Sequence, residues 1–213
     1  GRFESSQSAY RAQAEYDFGA MTLTYRGGFR NSNTAGDVAL QPGYIFMGPR
    51  MDVDTPRNEL RLKGGEEGGL IWQGGVFFFK EEQEIERGLY LPTLANGSYI
   101  NYFYRSPVIA KSKAAFAQLE IPMGEQLTAV VGARYNDEEK SGRYLNIRCV
   151  CLGSGIEPIP ETGRGTFVPA LDRTVTQDDS KVTWSPGLNW TPNDDTLVFG
   201  KVSTGYKAGG FDS

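Results

Sequence analysis

Pairs of adjacent carboxylates are the first residues in this chain whose type and spacing suggest acid–base chemistry. Examples are Glu66-Glu67, Glu81-Glu82, Glu138-Glu139 and Asp194-Asp195. Neighbouring residues of a β-strand point to opposite faces, so the two members of a pair do not converge on one substrate atom. Histidine, the commonest general base and metal ligand, is absent from the sequence. We therefore expect solvated turn and loop charges, no enzymatic activity and no bound cofactor.

Three shorter motifs contain metal-ligating or nucleophilic side chains. Asp52 and Asp54 have same-face spacing and oxygen atoms of the kind that Ca²⁺ prefers, but the sequence specifies no further ligand. Cys149 and Cys151 form a Cys-x-Cys pair with no third ligand nearby, which favours a structural or incidental role. Gly153-Ser154-Gly155 lacks the strand-to-helix context and the histidine that would activate its serine. None of the three predicts a catalytic or metal site.

A segment reading ANGSYINYFYRSP concentrates rings and a guanidinium, side chains that capture ligands by stacking, hydrogen bonds and charge. Alternation along a strand places Tyr102 and Tyr104 on one face and Phe103 and Arg105 on the other. Tyrosine also sits well at the headgroup level of a membrane, and this position is the alternative for each ring. The sequence predicts ligand-binding roles for Tyr99, Tyr102, Tyr104 and Arg105.

Composition restricts the class of protein. The chain has 213 residues with 22 basic and 26 acidic side chains, well mixed along the sequence, so no basic stripe predicts a nucleic-acid partner. Hydrophobic residues make up 39% and the mean hydropathy is −0.42, which excludes a bundle of membrane helices but not a membrane β-barrel. The 27 glycines and the 12% of aromatic residues favour an all-β chain with many turns.

The elements that position these residues are strands joined in hairpins. Between Tyr10 and Arg30 apolar and polar residues alternate, with one interruption at Gly19-Ala20, and a period of two is typical of β-strands. Three more hairpins follow, at residues 58–80, 113–136 and 181–207. The sequence predicts an all-β fold, an antiparallel up-and-down meander of about eight strands in four hairpins. The strand from Leu70 to Lys80 is apolar on both faces, so its orientation stays open.

Long polar connections join each hairpin to the next at one end of the strands, and short turns join the two strands of each hairpin at the other end. We interpret residues 31–57, 82–109 and 137–180 as loops, and this asymmetry is typical of an outer-membrane barrel. Aromatic residues near strand ends would form its interfacial girdles: Tyr10, Phe18, Phe29, Trp72, Tyr135, Trp184, Trp190 and Tyr206. The alternative is a soluble β-sandwich, whose strands alternate between core and solvent.

Charged residues of these strands fall on the face opposite the apolar one and would project into a barrel interior. They are Arg11, Glu15, Asp17, Arg26, Arg30, Glu59, Arg61, Lys63, Glu120, Arg134 and Lys201. Charges there need partners or water, so most are expected to form structural pairs. Arg26, Arg30 and Arg134, placed near the outer rim, are also predicted to attract anionic ligands.

Several stretches resemble barrel segments of TonB-dependent receptors. KAAFAQLEIPMGEQLTAVVGARYNDEEK, residues 113–140, has their Phe-x-Gln strand, short turn and Gly-x-Arg-Tyr strand. VTWSPGLNWTPNDDTLVFGKVSTGYKAGGFDS, residues 182–213, has their Gly-Leu-Asn-Trp, Asn-Asp-Asp-Thr-Leu and Gly-Tyr-Lys-Ala-Gly-Gly-Phe blocks in the same order. NELRLKG, with the later W-x-G-G-x-F-F-F, is similar to an earlier hairpin of these barrels.

The resemblance implies an active transporter in the bacterial outer membrane, in contact with its lipid. Such receptors bind scarce ligands such as ferric siderophores, cobalamin or oligosaccharides, and an inner-membrane complex energises them through the periplasmic protein TonB. Their barrels have about 22 strands and a plugged lumen. Residues 1–213 would then be a partial barrel domain without the plug domain, through which TonB acts, and without the final strands. A complete eight-stranded barrel with a structural or adhesive role, or a soluble secreted β-domain that binds carbohydrate or protein, remains the alternative.

Overall fold

Eight strands form a single antiparallel sheet in which each strand pairs with the next along the chain. The computed structural model describes residues 2–41, 44–66, 68–92, 98–152 and 166–210. The strands are β1 (Arg2–Asp17), β2 (Met21–Gln41), β3 (Tyr44–Gly65), β4 (Ile71–Pro92), β5 (Ser98–Pro122), β6 (Leu127–Leu152), β7 (Thr166–Asn193) and β8 (Thr196–Lys201). The predicted all-β meander is confirmed. In the described residues no helix has the length and hydrophobicity needed to cross a membrane.

The interpretation of the long polar connections as loops is wrong for most of their length. Strands β1 to β7 contain 16 to 28 residues each, so β2 to β7 continue far into these connections. In them Thr34 lies opposite Met51, and Lys140 opposite Gln177, in regular ladders. Both faces are polar there, so the period-two alternation that identifies a half-buried strand is missing although the backbone pairing persists.

The register separates an apolar face from a polar face. One row of the apolar face consists of Leu60, Val76, Ala115, Tyr135 and Val182. One row of the polar face consists of Thr24, Arg61, Gly75, Phe116 and Arg134.

The polar face is the more sheltered of the two. Tyr135 and Val182 are 50% and 57% exposed on the apolar face. The side chains of Arg61 and Glu59, by contrast, are 32% and 22% exposed on the polar face. This difference indicates that the sheet curves around its polar face. All eleven charged residues that the sequence assigns to a barrel interior lie on that face by register.

An apolar belt occupies only the part of the apolar face nearest the short turns. On β6 it runs from Leu127 to Tyr135, about the 9–11 residues of a membrane-crossing strand. Beyond it the same face becomes charged, beginning with Asp137 and Glu139. The sheet therefore extends well past the apolar belt as a wall with polar side chains on both sides.

Strand β4, whose orientation the sequence left open, has large apolar residues on both faces. Trp72, Val76 and Phe78 belong to the apolar face. Phe77 and Phe79 lie on the polar face, with their rings stacked at a centroid distance of 6.5 Å. Aromatic rings on a polar face need polar partners, and the structure supplies them as described below.

Our first prediction concerns the isolated 213-residue chain. Within the described residues β1 and β8 each pair on one side only, and large apolar side chains cover the outer surface of the apolar belt. Free strand edges and a broad apolar surface both promote association in water. We expect the chain to become β-rich and monodisperse only in detergent or lipid, as measured by circular dichroism and size-exclusion chromatography. A cooperative, monomeric melt in plain buffer would contradict this.

Candidate functional site

A cavity of about 900 Å³ lies on the polar face, where β4 to β7 extend beyond the apolar belt. This volume lies within the range of small-molecule sites, about 300–1,000 Å³. Among the residues lining it are Arg87 on β4, Tyr104 on β5, Lys140 and Tyr144 on β6, and Arg173 on β7. Four neighbouring strands thus contribute polar and aromatic side chains to one space.

Two arginine–tyrosine pairs are built into the ladders that line the cavity. Tyr104 lies directly opposite Arg87, and Tyr144 lies directly opposite Arg173. Directly opposed residues have Cβ atoms only about 4.5–5.5 Å apart. Each pair therefore presents a guanidinium and a phenol side by side.

The cavity has an excess of positive charge. Arg87, Lys140 and Arg173 line it, and Glu81 is the one carboxylate among the described lining residues. Within the described part of the chain neither Arg87 nor Arg173 forms an ion pair. Two guanidinium groups without carboxylate partners leave the cavity suited to an anion, since charge-assisted hydrogen bonds from arginine are strong and directional.

The structure divides the predicted cluster of tyrosines and arginine between two faces. Tyr104 lines the cavity, and Tyr102 lies on the same face by register. The side chain of Tyr99 lies outside the described residues. Arg105 lies on the opposite face, where it forms ion pairs with Glu84 and, at 3.5 Å, with Glu86. Its charge is directed away from the cavity and is already paired.

The other predicted arginines lie on the polar face but away from the cavity. Arg26 donates a hydrogen bond to Gln13 Oε1 at 3.1 Å. Arg30 lies opposite Thr55 in the ladder between β2 and β3. Arg134 lies at the level of the apolar belt, with the wall of β6 continuing beyond it. These three arginines therefore stay predictions as ligand contacts, with no place in the cavity lining.

Arg134 belongs to a cluster of cations and rings on the polar face. Its guanidinium lies 5.3 Å from the ring centroid of Phe77 and 5.9 Å from that of Phe116. Arg61 covers Phe116 at 5.6 Å and binds Glu59 at 2.8 Å. Cation–π contacts of this kind stabilise rings in a polar environment. They give Phe77 of β4 a cationic partner on this face, and Phe79 of the same strand stacks on Phe77.

Three titratable groups beyond the apolar belt are perturbed by local contacts. Hydrogen bonds of 2.8 and 2.7 Å from Arg143 lower the pKa of Asp172, and the same bonds raise the pKa of Arg143. This pair is solvent-exposed and contributes little to stability. Burial, followed by the nearby carboxylate of Glu138, raises the pKa of Tyr206, which keeps its hydroxyl protonated.

Sequence reasoning missed Arg87, Lys140, Tyr144 and Arg173. All four lie in segments interpreted as loops, so no face was assigned to them. The signal that identifies them is the cross-strand register, which places each arginine opposite a tyrosine far away in sequence. In the described residues no group of three or more Cys, Asp or Glu side chains is arranged to hold a metal ion.

Comparison with known proteins shows the family. The model of the TonB-dependent receptor-like β-barrel matches residues 1–213, the whole chain. The chain belongs to the TonB-dependent receptor barrel family. This family consists of transport receptors of the outer membrane, and the resemblance carried by the hairpin motifs is confirmed. No curated protein sequence matches the chain.

Three solved receptor structures contain the same fold. The ferric yersiniabactin uptake receptor FyuA from Yersinia pestis superimposes with a TM-score of 0.71 at 12% identity, over 93% of this chain and 28% of that receptor. The siderophore receptor PiuA from Acinetobacter baumannii gives 0.61 at 11% identity, over 93% and 32%. The open form of the ferric-catecholate import receptor Fiu from E. coli K12 gives 0.51 at 13%, over 94% and 35%. The chain thus spans about a third of their length.

Proposed function

We propose that this chain forms part of the wall of an outer-membrane receptor that takes up a ferric siderophore. The observation that carries the proposal is the cavity on the polar face, with its two cross-strand pairs of arginine and tyrosine. FyuA, PiuA and Fiu, which share the fold, are named for siderophore or ferric-catecholate uptake. These names support the class of ligand without identifying the molecule.

The chemistry of the cavity favours an anionic, aromatic iron complex over the other ligand classes of the family. Ferric complexes of catecholate groups carry a net negative charge and present flat rings. Arg87 and Arg173 supply unpaired positive charge, and arginine binds oxyanions through two parallel hydrogen bonds. Tyr104 and Tyr144 supply rings for stacking and hydroxyl donors. A neutral oligosaccharide would supply neither guanidinium group with a negative charge.

Family membership supports the remaining parts of the proposal. The apolar belt faces outer-membrane lipid, and the polar wall beyond it faces the outside of the cell. TonB supplies the energy through the plug domain of the complete receptor. Two tyrosines of the predicted cluster keep their proposed role on the polar face of β5: Tyr104 contacts the ligand in the cavity, and Tyr102 extends the aromatic surface beside it. A ligand contact for Tyr99 stays a prediction.

The proposal predicts that ligand binding depends on the cavity arginines. In the complete receptor on cells, Arg87→Gln combined with Arg173→Gln should weaken binding of a ferric tris-catecholate complex at least tenfold, about 1.4 kcal/mol. The matched control is Arg105→Gln combined with Arg143→Gln, which removes two arginines from the opposite, solvent-exposed face of the same wall. Binding of radioactive iron is measured at equal surface levels of receptor, and the control should bind like wild type.

Equal affinity of the two double variants would contradict the cavity as the binding site. A ligand panel tests the class of ligand separately. It contains the ferric tris-catecholate, a neutral ferric tris-hydroxamate, cobalamin and a neutral oligosaccharide. Tight binding of a neutral member that is insensitive to both arginine substitutions would replace the siderophore class proposed here.

A further inference from the structure

The segment that follows β8, residues 202–210, is called the strap here. At first it continues the sheet along the edge of β7. The amide of Val202 donates to Pro186 O at 3.0 Å, and the amide of Thr204 donates to Trp184 O at 3.0 Å. The hydroxyl of Thr204 also accepts a 2.9 Å hydrogen bond from the Trp184 amide. Up to Thr204 the strap is therefore held as an extension of the ladder.

Beyond Thr204 the strap lies on the polar face, where its hydrogen bonds to the sheet come, within residues 205–210, from Gly209. The Gly209 amide donates to Asp179 Oδ2 at 3.3 Å, and Lys140 Nζ donates to Gly209 O at 2.6 Å. Gln177 donates to the same Asp179 oxygen at 2.7 Å. A side chain at position 209 would collide with the Gln177 amide, so the strap lies directly against the wall. Asp179 on β7 and Lys140 on β6 thus hold the amide and the carbonyl of one residue, Gly209, and this arrangement is called the clasp.

The clasp is connected to the cavity. Gly210 and Lys140 both line it, so the end of the strap forms part of the cavity wall. The ammonium of Lys140 is bound to a neutral carbonyl, and its positive charge is not cancelled. The bond from the Lys140 ammonium to this carbonyl is already charge-assisted, and an anion in the cavity would add the attraction between two opposite full charges.

The docked strap also contains a feature that weakens its docking. The Tyr206 hydroxyl is buried and has no hydrogen-bond partner among the described residues. An unsatisfied buried hydroxyl costs free energy that it recovers when it meets water. Release of the strap would therefore return one polar group to solvent, and the hydrogen bonds that it would break on this face are, among the described residues, those of Gly209.

We propose that the strap is a movable wall of the ligand cavity. An anionic ligand would release it by drawing the Lys140 ammonium away from the Gly209 carbonyl, which breaks the hydrogen bond between them. The inference rests on the proposed function of the cavity as an anion site. The ammonium has three N–H donors, but an anion held by Arg87 and Arg173 would draw Nζ away from the Gly209 carbonyl, which it now contacts at 2.6 Å. Ligand and strap thus compete for the position of Nζ, and each weakens the binding of the other. Asp179 acts as a positioning residue, which holds the strap through Gly209 without lining the cavity.

Trypsin cleavage after Lys207 reports the state of the strap without a label. Lys207 lies within the strap, and cleavage requires the segment to leave the wall, so its rate follows the released population. In the complete receptor without ligand, Asp179→Ala should raise the rate at Lys207 at least about tenfold, as expected for losing a hydrogen bond to a charged group. Asp178→Ala, the neighbouring carboxylate on the opposite face, is the matched control and should cleave like wild type. Cleavage sites are identified by mass spectrometry.

The second arm adds a saturating ferric tris-catecholate complex. Cleavage after Lys207 should rise in wild type and stay unchanged in Lys140→Gln, in which the ligand has no ammonium to take. If the complex binds in an Arg87- and Arg173-dependent manner but cleavage is unaffected, the movable wall is wrong and the proposed function stands. If the complex does not bind, the proposed function and the ligand-driven release both fail. Identical rates for Asp179→Ala and Asp178→Ala would overturn the clasp itself.

Discussion

Val131→Arg is expected to lower the free energy of unfolding of the complete receptor in a bilayer by about 2–4 kcal/mol. Val131 lies in the middle of the apolar belt on β6 and is 46% exposed on the apolar face. Its ladder neighbours are Leu119 on β5 and Pro186 on β7. A guanidinium at this position would meet lipid and apolar side chains, with no carboxylate beside it. The measurement is equilibrium unfolding in urea from liposomes of defined composition.

The adjacent residue provides the control. Val130 lies on the polar face, directly opposite Glu120. Val130→Arg therefore introduces the same side chain beside a carboxylate and should cost less than about 1 kcal/mol, the scale of a solvated ion pair. Arg134→Gln, also on the polar face, should be mild as well unless its stacking on Phe77 and Phe116 is needed for folding. Equal losses for Val130→Arg and Val131→Arg would show that the two faces are assigned wrongly.

The parts of the fold that sequence reasoning predicts correctly are those where the two faces meet different environments. Along Leu127 to Tyr135 every second residue is apolar, because one side of the strand is polar and the other is not. The same alternation placed Glu15, Arg61 and Lys201 on the polar face, as the register shows. Hairpins and strand number follow from this period together with the short turns.

The sequence failed to predict the wall beyond the apolar belt because both of its faces are polar. Gln83 and Glu84 lie on opposite faces of β4, yet both side chains are polar, so their polarity does not distinguish one face from the other. Hydrogen bonds between backbones hold such strands together, and backbone pairing has no signature in the side-chain pattern. The segments therefore had the composition of loops while forming strands.

For the same reason, the sequence predicts only part of the candidate site. Tyr104 was identified from its local cluster, and alternation already separated it from Arg105, which the structure places in ion pairs on the opposite face. Arg87 and Arg173 became recognisable only through register, since each is opposite a tyrosine on another strand. Register in a strand with two polar faces is weakly specified by sequence. Local composition thus predicted Tyr104 but did not predict the arginines Arg87 and Arg173.

The second large effect is expected at Gly75, beneath the cluster of cations and rings. A Cβ atom there would lie 2.5 Å from Leu60 O and 2.7 Å from Phe116 Cζ. The first contact is with the backbone of β3, which cannot move without disturbing the ladder, and the second is with a ring held by Arg61 and Arg134. Gly75→Ala should therefore destabilise the complete receptor by about 1–3 kcal/mol, the usual cost of overpacking.

Gly74→Ala is the matched control, because it changes the neighbouring residue of the same strand in the same way. Its Cβ atom would have Phe116 O as its nearest neighbour at 3.4 Å, an ordinary contact, so its effect should be close to zero in the same urea titration. Adding Phe116→Ala to Gly75→Ala separates the two collisions. It removes the ring but leaves Leu60 O in place, so the double variant should lack the clash with Phe116 and retain the clash with β3. Equal stability of the two alanine variants would mean that β3 and β5 approach β4 less closely at Gly75 than the structure shows.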